Sequence, residues 1–225
     1  MTERESFNKN TVEVDGIRFE IFVSKTVVVV PMPLKPKSNH DTSVKLYVRI
    51  TNNRSNSYCF SFHHNFVPEI IAADGQNINT GYQADGIGYP HVFDFHLIKP
   101  GKSVMVFPNA RIGWDRKHHN KKKREQNLLL SLPLTGREFL VFQLRDLGDY
   151  SIRLKYEVTN ESVQYYHYLI NEEWSRLYND DLPNYCSDEE ILYYHYLMEE
   201  EWFNAMWTGQ VFTPYVEFCV VDTQS

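Results

Sequence analysis

Apolar and polar residues alternate with a period of two through the first 158 residues of this chain. Ile17, Phe19, Ile21 and Val23 fall on one side of an extended segment, with Arg18 and Glu20 on the other. Val44, Leu46, Val48 and Ile50 alternate with Lys45, Tyr47, Arg49 and Thr51, and Tyr58, Phe60 and Phe62 with Ser57, Cys59 and Ser61. His91, Phe93, Phe95 and Leu97 lead into Pro100-Gly101, Val104 and Val106 follow it, and Phe139 to Leu144 reads as a short buried run. Side chains two apart share a face of an extended strand, so this period predicts half-buried strands. Asp15-Gly16, Asn52-Asn53, Asp74-Gly75, Pro100-Gly101 and Thr135-Gly136 punctuate them with turn chemistry. About eight or nine strands with no helix between them predict a mainly β fold, an antiparallel β-sandwich rather than a parallel sheet.

The period changes after the strand Tyr150, Ile152, Leu154, Tyr156, Val158. Tyr165-Tyr166-His167-Tyr168-Leu169 recurs as Tyr193-Tyr194-His195-Tyr196-Leu197, and Glu172-Glu173-Trp174 recurs as Glu200-Glu201-Trp202. One offset of 28 residues explains both matches, which points to a local duplication. Each copy has helical spacing: Tyr166, Ile170, Trp174 and Leu177 share one face, as do Tyr194, Met198, Trp202 and Met206. Pro183 and Asn184 sit between the copies, and Ser187 with Glu190 reads as a capping box for the second helix. Two copies are too few for a solenoid. The domain organisation expected is one sandwich over 1–225, with a duplicated helical hairpin over 161–206 inserted between its last two strands. An insertion in a terminal hairpin reads as an added element that a short turn could replace.

Charge sharpens that division. Residues 161–207 carry eleven acids and one base, Arg176, so the remaining 22 bases and 18 acids leave the rest of the chain at +4 against a total of -6. Arg116, Lys117, Lys121, Lys122, Lys123 and Arg124 concentrate six bases in nine residues. That run could grip phosphates, yet the whole chain is acidic and no aromatic lies inside the run to stack on a base, which weighs against nucleic acid. Three cysteines, Cys59, Cys186 and Cys219, are an odd number in distant segments, which argues against a disulfide framework and for a reducing, cytoplasmic compartment. The charged start Met1-Thr2-Glu3-Arg4-Glu5-Ser6 has no apolar stretch of the kind a secretory signal needs, and no apolar run approaches the roughly 20 residues that span a bilayer.

Asp146-Leu147-Gly148-Asp149-Tyr150-Ser151-Ile152 resembles the tyrosine corner of immunoglobulin-like β-sandwiches, where a Tyr at the start of the second-to-last strand hydrogen-bonds back across the preceding turn. Its partner would be the run Trp207-Thr208-Gly209-Gln210-Val211-Phe212-Thr213-Pro214-Tyr215-Val216-Glu217-Phe218. Ile152 stands where a secreted immunoglobulin domain would carry its second bridging Cys, and the core Trp of the third strand is missing too. The resemblance implies an immunoglobulin-like sandwich of the bacterial cytosolic type, loosely similar to intracellular proteinase inhibitors. It assigns no reactive site.

Candidate chemistry is sparse. The loop from Asp74 to Pro90 holds four glycines but no phosphate-binding fingerprint, since Gly86-Ile87-Gly88 leads to a strand and not to a helix N-terminus. Neighbours on a strand point to opposite faces, so His63 and His64 should not grip one ion, and the odd offset likewise separates His91 from His96. His167 and His195, equivalent in the repeat, could approach Glu172 or Glu199, but the Glu-x-x-His signature of di-iron bundles is missing. No catalytic motif, cofactor or metal site is expected. The aromatics of the insertion are the strongest functional pointer, because Tyr and Trp are enriched at interface hot spots. Tyr165, Tyr168, Trp174, Tyr193, Tyr196 and Trp202 are the expected partner-binding residues of a non-catalytic protein-binding module. The alternatives are a proteinase inhibitor using an extended loop, and anion or nucleic-acid binding through the 116–124 run.

Overall fold

The strictest alternation in the chain builds the first sheet. Strands β1 (Thr11–Val14), β2 (Ile17–Val23), β4 (Thr42–Asn52), β10 (Asn109–Trp114), β11 (Leu128–Pro133), β12 (Glu138–Leu144) and β7 (Thr80–Ala84) lie side by side in that order, all antiparallel. β9 (Ser103–Val106) shares the edge of β4 with β10. Asp15 and Gly16 join β1 to β2 with φ of 51° and 72°, the positive values that a two-residue hairpin turn needs. The computed structural model describes residues 10–23, 26–31, 41–84, 94–106, 109–114, 127–133, 138–179 and 200–222. They form a mainly β protein.

In the second sheet, β6 (Phe66–Ala72) and β15 (Val216–Val221) flank β13 (Gly148–Val158) in antiparallel register, and β14 (Gly209–Phe212) continues the β15 edge. β3 (Val27–Val29) adds to β15 in parallel. β5 (Tyr58–Ser61) and β8 (Phe95–Ile98) form a separate antiparallel ribbon. Thirteen strands therefore precede residue 159 among the described residues, more than the eight or nine expected. Short strands such as β1, β3 and β7 carry too few residues to show a period.

The inward residues of β13 are the alternating set Tyr150, Ile152, Leu154, Tyr156 and Val158, all buried. The sheets meet through them: the Phe19 ring on β2 lies 5.7 Å from Tyr156 on β13. At the start of β13 the Tyr150 hydroxyl donates to the Asp146 carbonyl (2.6 Å) and accepts from the Asp146 N–H (3.2 Å). Two hydrogen bonds from one hydroxyl fix the turn entering the strand. The closing strand is split where Thr213 replaces a ladder partner. Its N–H donates to the Leu154 carbonyl, and its Oγ1 accepts from the Leu154 N–H, both at 2.9 Å.

Two helices, α1 (Asn160–Asn179) and α2 (Glu200–Asn204), lie in the chain between the paired strands β13 and β14. The first copy of the repeat is thus helical. Most of the second, with the Ser187 and Glu190 cap, lies outside the described residues. Part of the insertion is packed into the core. Tyr166, Ile170, Met206 and Trp207 are all part of the central hydrophobic core. Trp207 packs 5.6 Å from Phe19, 5.9 Å from Phe60 and 5.7 Å from Tyr156 between ring centroids. The backbone docks with it: the Cys59 N–H donates to the Ala205 carbonyl (2.8 Å), and the Trp207 N–H donates to the Cys59 carbonyl (2.9 Å). These bonds close an edge of β5, and Cys59, Phe60 and Ser61 are buried in succession. Cys59 and Ser61 still alternate with Phe60, but both sides of the strand are buried, not one.

Removing the Trp207 ring leaves a void among three aromatic neighbours, so Trp207→Ala is expected to cost about 3–5 kcal/mol in denaturant unfolding. A Cβ at Gly209 would stand 2.7 Å from the Trp207 ring, and Gly209→Ala should destabilise in the same assay. A turn replacing residues 161–206 removes Tyr166, Ile170 and Met206, and that chain is expected to lose cooperative unfolding. Tyr150→Phe keeps the ring and should cost only about 1 kcal/mol.

Candidate functional site

α1 begins one residue after β13 ends, and a reciprocal cap makes that abrupt change possible. The Ser162 N–H donates to Thr159 Oγ1 (3.1 Å), and the Thr159 N–H donates to Ser162 Oγ (3.4 Å). Each satisfies a donor that the helix start leaves unpaired. Glu161 lies in this first turn, where hydrogen bonds from its own backbone N–H and the Thr159 hydroxyl hold its carboxyl below the usual range. Negative charge there also suits the helix dipole.

Helical spacing then divides α1 into two faces. Tyr166, Leu169 and Ile170 are buried, with Val163 half-buried beside them. Tyr166 anchors the inward face. Its hydroxyl reaches Asn65 Oδ1 (2.9 Å) and the His63 carbonyl (3.2 Å), and Asn65 Nδ2 donates to the Ser61 carbonyl (3.0 Å). His63 Nδ1 stands 3.6 Å from Asp94 Oδ2, and both side chains are buried. A polar group taken from water costs free energy unless it is paired, so this network holds the helix in one place. The two histidines lie in the bend after β5 and not on a strand, and their rings meet edge to face at 4.1 Å. This corrects the opposite-face expectation: His64 has φ of 54°, which turns it onto its neighbour.

The outward face carries Tyr165 and Tyr168, 57% and 56% exposed. The Tyr168 hydroxyl donates to Glu172 Oε1 at 2.8 Å. His167 packs edge-on against Phe203 at 4.9 Å, which ties α1 to α2. Of the expected partner-binding residues, Tyr165 and Tyr168 share this open surface. Trp202 is half-buried against the core. The Trp174 side chain, Tyr193 and Tyr196 lie outside the described residues, as do Arg116, Lys117, Lys121, Lys122, Lys123 and Arg124.

The described thiols are poor nucleophiles. Burial pushes Cys59 up to about 12. Cys219 is raised chiefly by its hydrogen bond to the Asp149 carboxylate, which favours the protonated thiol. Among the described residues no group of three or more His, Cys, Asp or Glu side chains is placed to hold a metal ion. No described helix is long and apolar enough to cross a membrane.

No family model matches the chain, and no curated protein matches its sequence. Among solved structures it is similar to a candidate lipoprotein (ycdA) of Bacillus subtilis, at 9% identity over 92% of this chain and 90% of that one. The TM-score is 0.24, and a likeness at that level carries no argument.

The thiol environments set an order of reactivity. In a Cys186→Ser background at pH 8, iodoacetamide is expected to modify the half-exposed Cys219 slowly and to leave Cys59 untouched until denaturant is added. Peptide mass mapping reads the order, and early modification of Cys59 would contradict the covered strand β5.

Proposed function

We propose that this chain is a cytoplasmic, non-catalytic protein-binding module of immunoglobulin-like type that meets its partner through the outward face of α1. One observation carries the reading. The inward face of the helix already supplies Tyr166, Leu169 and Ile170 to the core, so Tyr165 and Tyr168 are not needed to cover it. Two rings more than half exposed, three residues apart and beside the Glu172 carboxylate, form an amphipathic patch on a rigid element. Such rings supply contact area at a low cost in side-chain order. The cap at Thr159 and the Tyr166 network fix the helix before any partner arrives, which reduces the ordering cost of association. The immunoglobulin-like part of the reading is supported by the paired hydrogen bonds of Tyr150 with Asp146, the pattern of a tyrosine corner.

Photo-crosslinking tests it directly. A benzophenone side chain at position 165 or 168 is expected to capture a discrete partner in cells. The same group at Met105, 51% exposed on the first sheet, should not. Tyr165→Ala with Tyr168→Ala should reduce affinity for the captured partner by at least about tenfold. Exposed substitutions of this kind change stability by only about 0.5 kcal/mol, so the melting temperature should hold. Equal crosslinking from position 105, or unchanged affinity in the double variant, would overturn the assignment.

A further inference from the structure

On the outer faces of the two sheets an arginine twice joins a carboxylate to a ring. On β2 and β4, Arg49 binds Glu20 through two nitrogens (2.6 and 3.1 Å) and lies 5.2 Å over Phe22. On β13, Arg153 pairs with Glu69 of β6 (2.6 Å from Nε) and sits between Phe212 and Tyr215, at 4.5 and 4.7 Å. Lys155, next along that face, pairs with Glu157 and stands farther from the Phe212 ring, at 6.0 Å. A guanidinium can put its edge on a carboxylate and its face on a ring at the same time, which a compact ammonium cannot.

The outward face of α1 sets rings beside carboxylates in a different geometry. Glu161, Tyr165, Tyr168 and Glu172 follow one another at steps of four, three and four residues. At about 100° and 1.5 Å per residue, those steps keep all four within roughly 60° of arc, in a stripe about 16 Å long. A carboxylate stands at each end, with two rings, 57% and 56% exposed, between them. The bond from the Tyr168 hydroxyl to Glu172 Oε1 (2.8 Å) fixes one ring against one carboxylate. At the other end, Glu161 is exposed, and the hydrogen bonds of the first turn favour its charged form. The charge of the whole segment is one-sided by composition: residues 161–207 hold eleven acids and one base.

We infer that the segment docking on this stripe is an arginine-bearing segment of the partner protein. The inference rests on the reading of α1 as the partner-binding surface and names the chemistry that surface takes. Charge complementarity selects a cation, since the stripe and the segment around it are acidic. The same charge repels acidic partners and nucleic acid. The rings then select arginine over lysine, because each exposed ring face lies within a turn of a carboxylate and a planar cation can engage both. Arg49 and Arg153 make that double contact within this chain. The methylene stem of an arginine also covers part of a ring that is otherwise in water.

The probe is a fluorescein-labelled octapeptide of alternating arginine and serine, compared with lysine–serine and glutamate–serine peptides by fluorescence anisotropy at 50 mM salt. The full chain should bind the arginine peptide at least about tenfold more tightly than the glutamate peptide and about threefold more tightly than the lysine peptide. Tyr165→Leu with Tyr168→Leu keeps apolar side chains and removes the ring faces, and should erase the preference for arginine over lysine. Tyr165→Phe with Tyr168→Phe should retain it. Glu161→Gln with Glu172→Gln should weaken both cationic peptides about fivefold at 50 mM salt and much less at 500 mM, where exposed pairs are screened. Asp149→Asn with Glu217→Gln removes the same charge from exposed positions at the far end of β13 and should change affinity less than about twofold. Far-ultraviolet circular dichroism checks that each variant is folded. An equal loss in that charge-matched variant, or a preference for arginine that survives the leucine pair, would overturn the inference and reduce the attraction to net charge. Capture of a partner through positions 165 and 168 would still stand in that case, so the two readings fail separately.

Discussion

A knot of aromatic rings holds the two sheets, the β5–β8 ribbon and the insertion in one arrangement. Phe19 comes from the first sheet, Tyr156 and Phe66 from the second, Phe60 from the ribbon, and Trp207 from the residue that follows the insertion. Neighbouring centroids stand between 4.8 and 6.2 Å, in tilted, stacked and edge-on geometries. Each ring buries on the order of 200 Å², so a cluster of this size outweighs most other local terms in the core. Because Trp207 closes the cluster, the chain cannot finish its core until it has returned from the insertion. The same return pairs residues 205–207 with the edge of β5.

The polar network around Tyr166 works with this knot in a different way. Ring burial is non-directional, whereas the bonds of Tyr166 to Asn65 and His63 are specific in angle and partner. The rings keep the insertion on the sandwich, and the network decides which face of α1 points inward. That choice leaves Tyr165 and Tyr168 in solvent. Strand β13 thus links two surfaces of opposite design. Its end at Val158 launches a helix with exposed rings, and its start at Gly148 lies beside an open groove lined by Thr26, Ser151 and Cys219. At about 3.3 Å per residue, its 11 residues set these two ends roughly 35 Å apart.

The outer-face ion pairs belong to the same economy of surface. Long bases lie flat over rings on both sheets and shield apolar area that would otherwise be open. Exposed pairs contribute little to stability, typically under about 1 kcal/mol each. Their effect is on the character of the surface, which they neutralise and close where Arg49 lies over Phe22 and Arg153 between Phe212 and Tyr215.

The sequence by itself determined the class of the fold and much of its local grammar. The alternation at Ile17 to Val23 and Val44 to Ile50 predicts β2 and β4, and the Asp15-Gly16 pair predicts their neighbouring turn. The spacing from Asp146 to Tyr150 predicts a hydroxyl bonding back across the turn, and helical spacing from Tyr166 to Ile170 predicts the inward face of α1. These features are legible because each depends on residues a few positions apart. Others were decided only by tertiary structure. Nothing near Cys59 in the chain foretells that residues 205–207 pair with its strand, and Trp207 reads as the start of a strand until it enters the core. His63 and His64 read as a strand pair until the bend after β5 brings their rings together. The groove draws on Thr26, Ile71, Ser151 and Cys219, which share no sequence pattern. A short-range period records which side of a strand is apolar, but not which distant segment will cover it. That choice rests on long-range pairing, whose free energy appears only when both partners are in place.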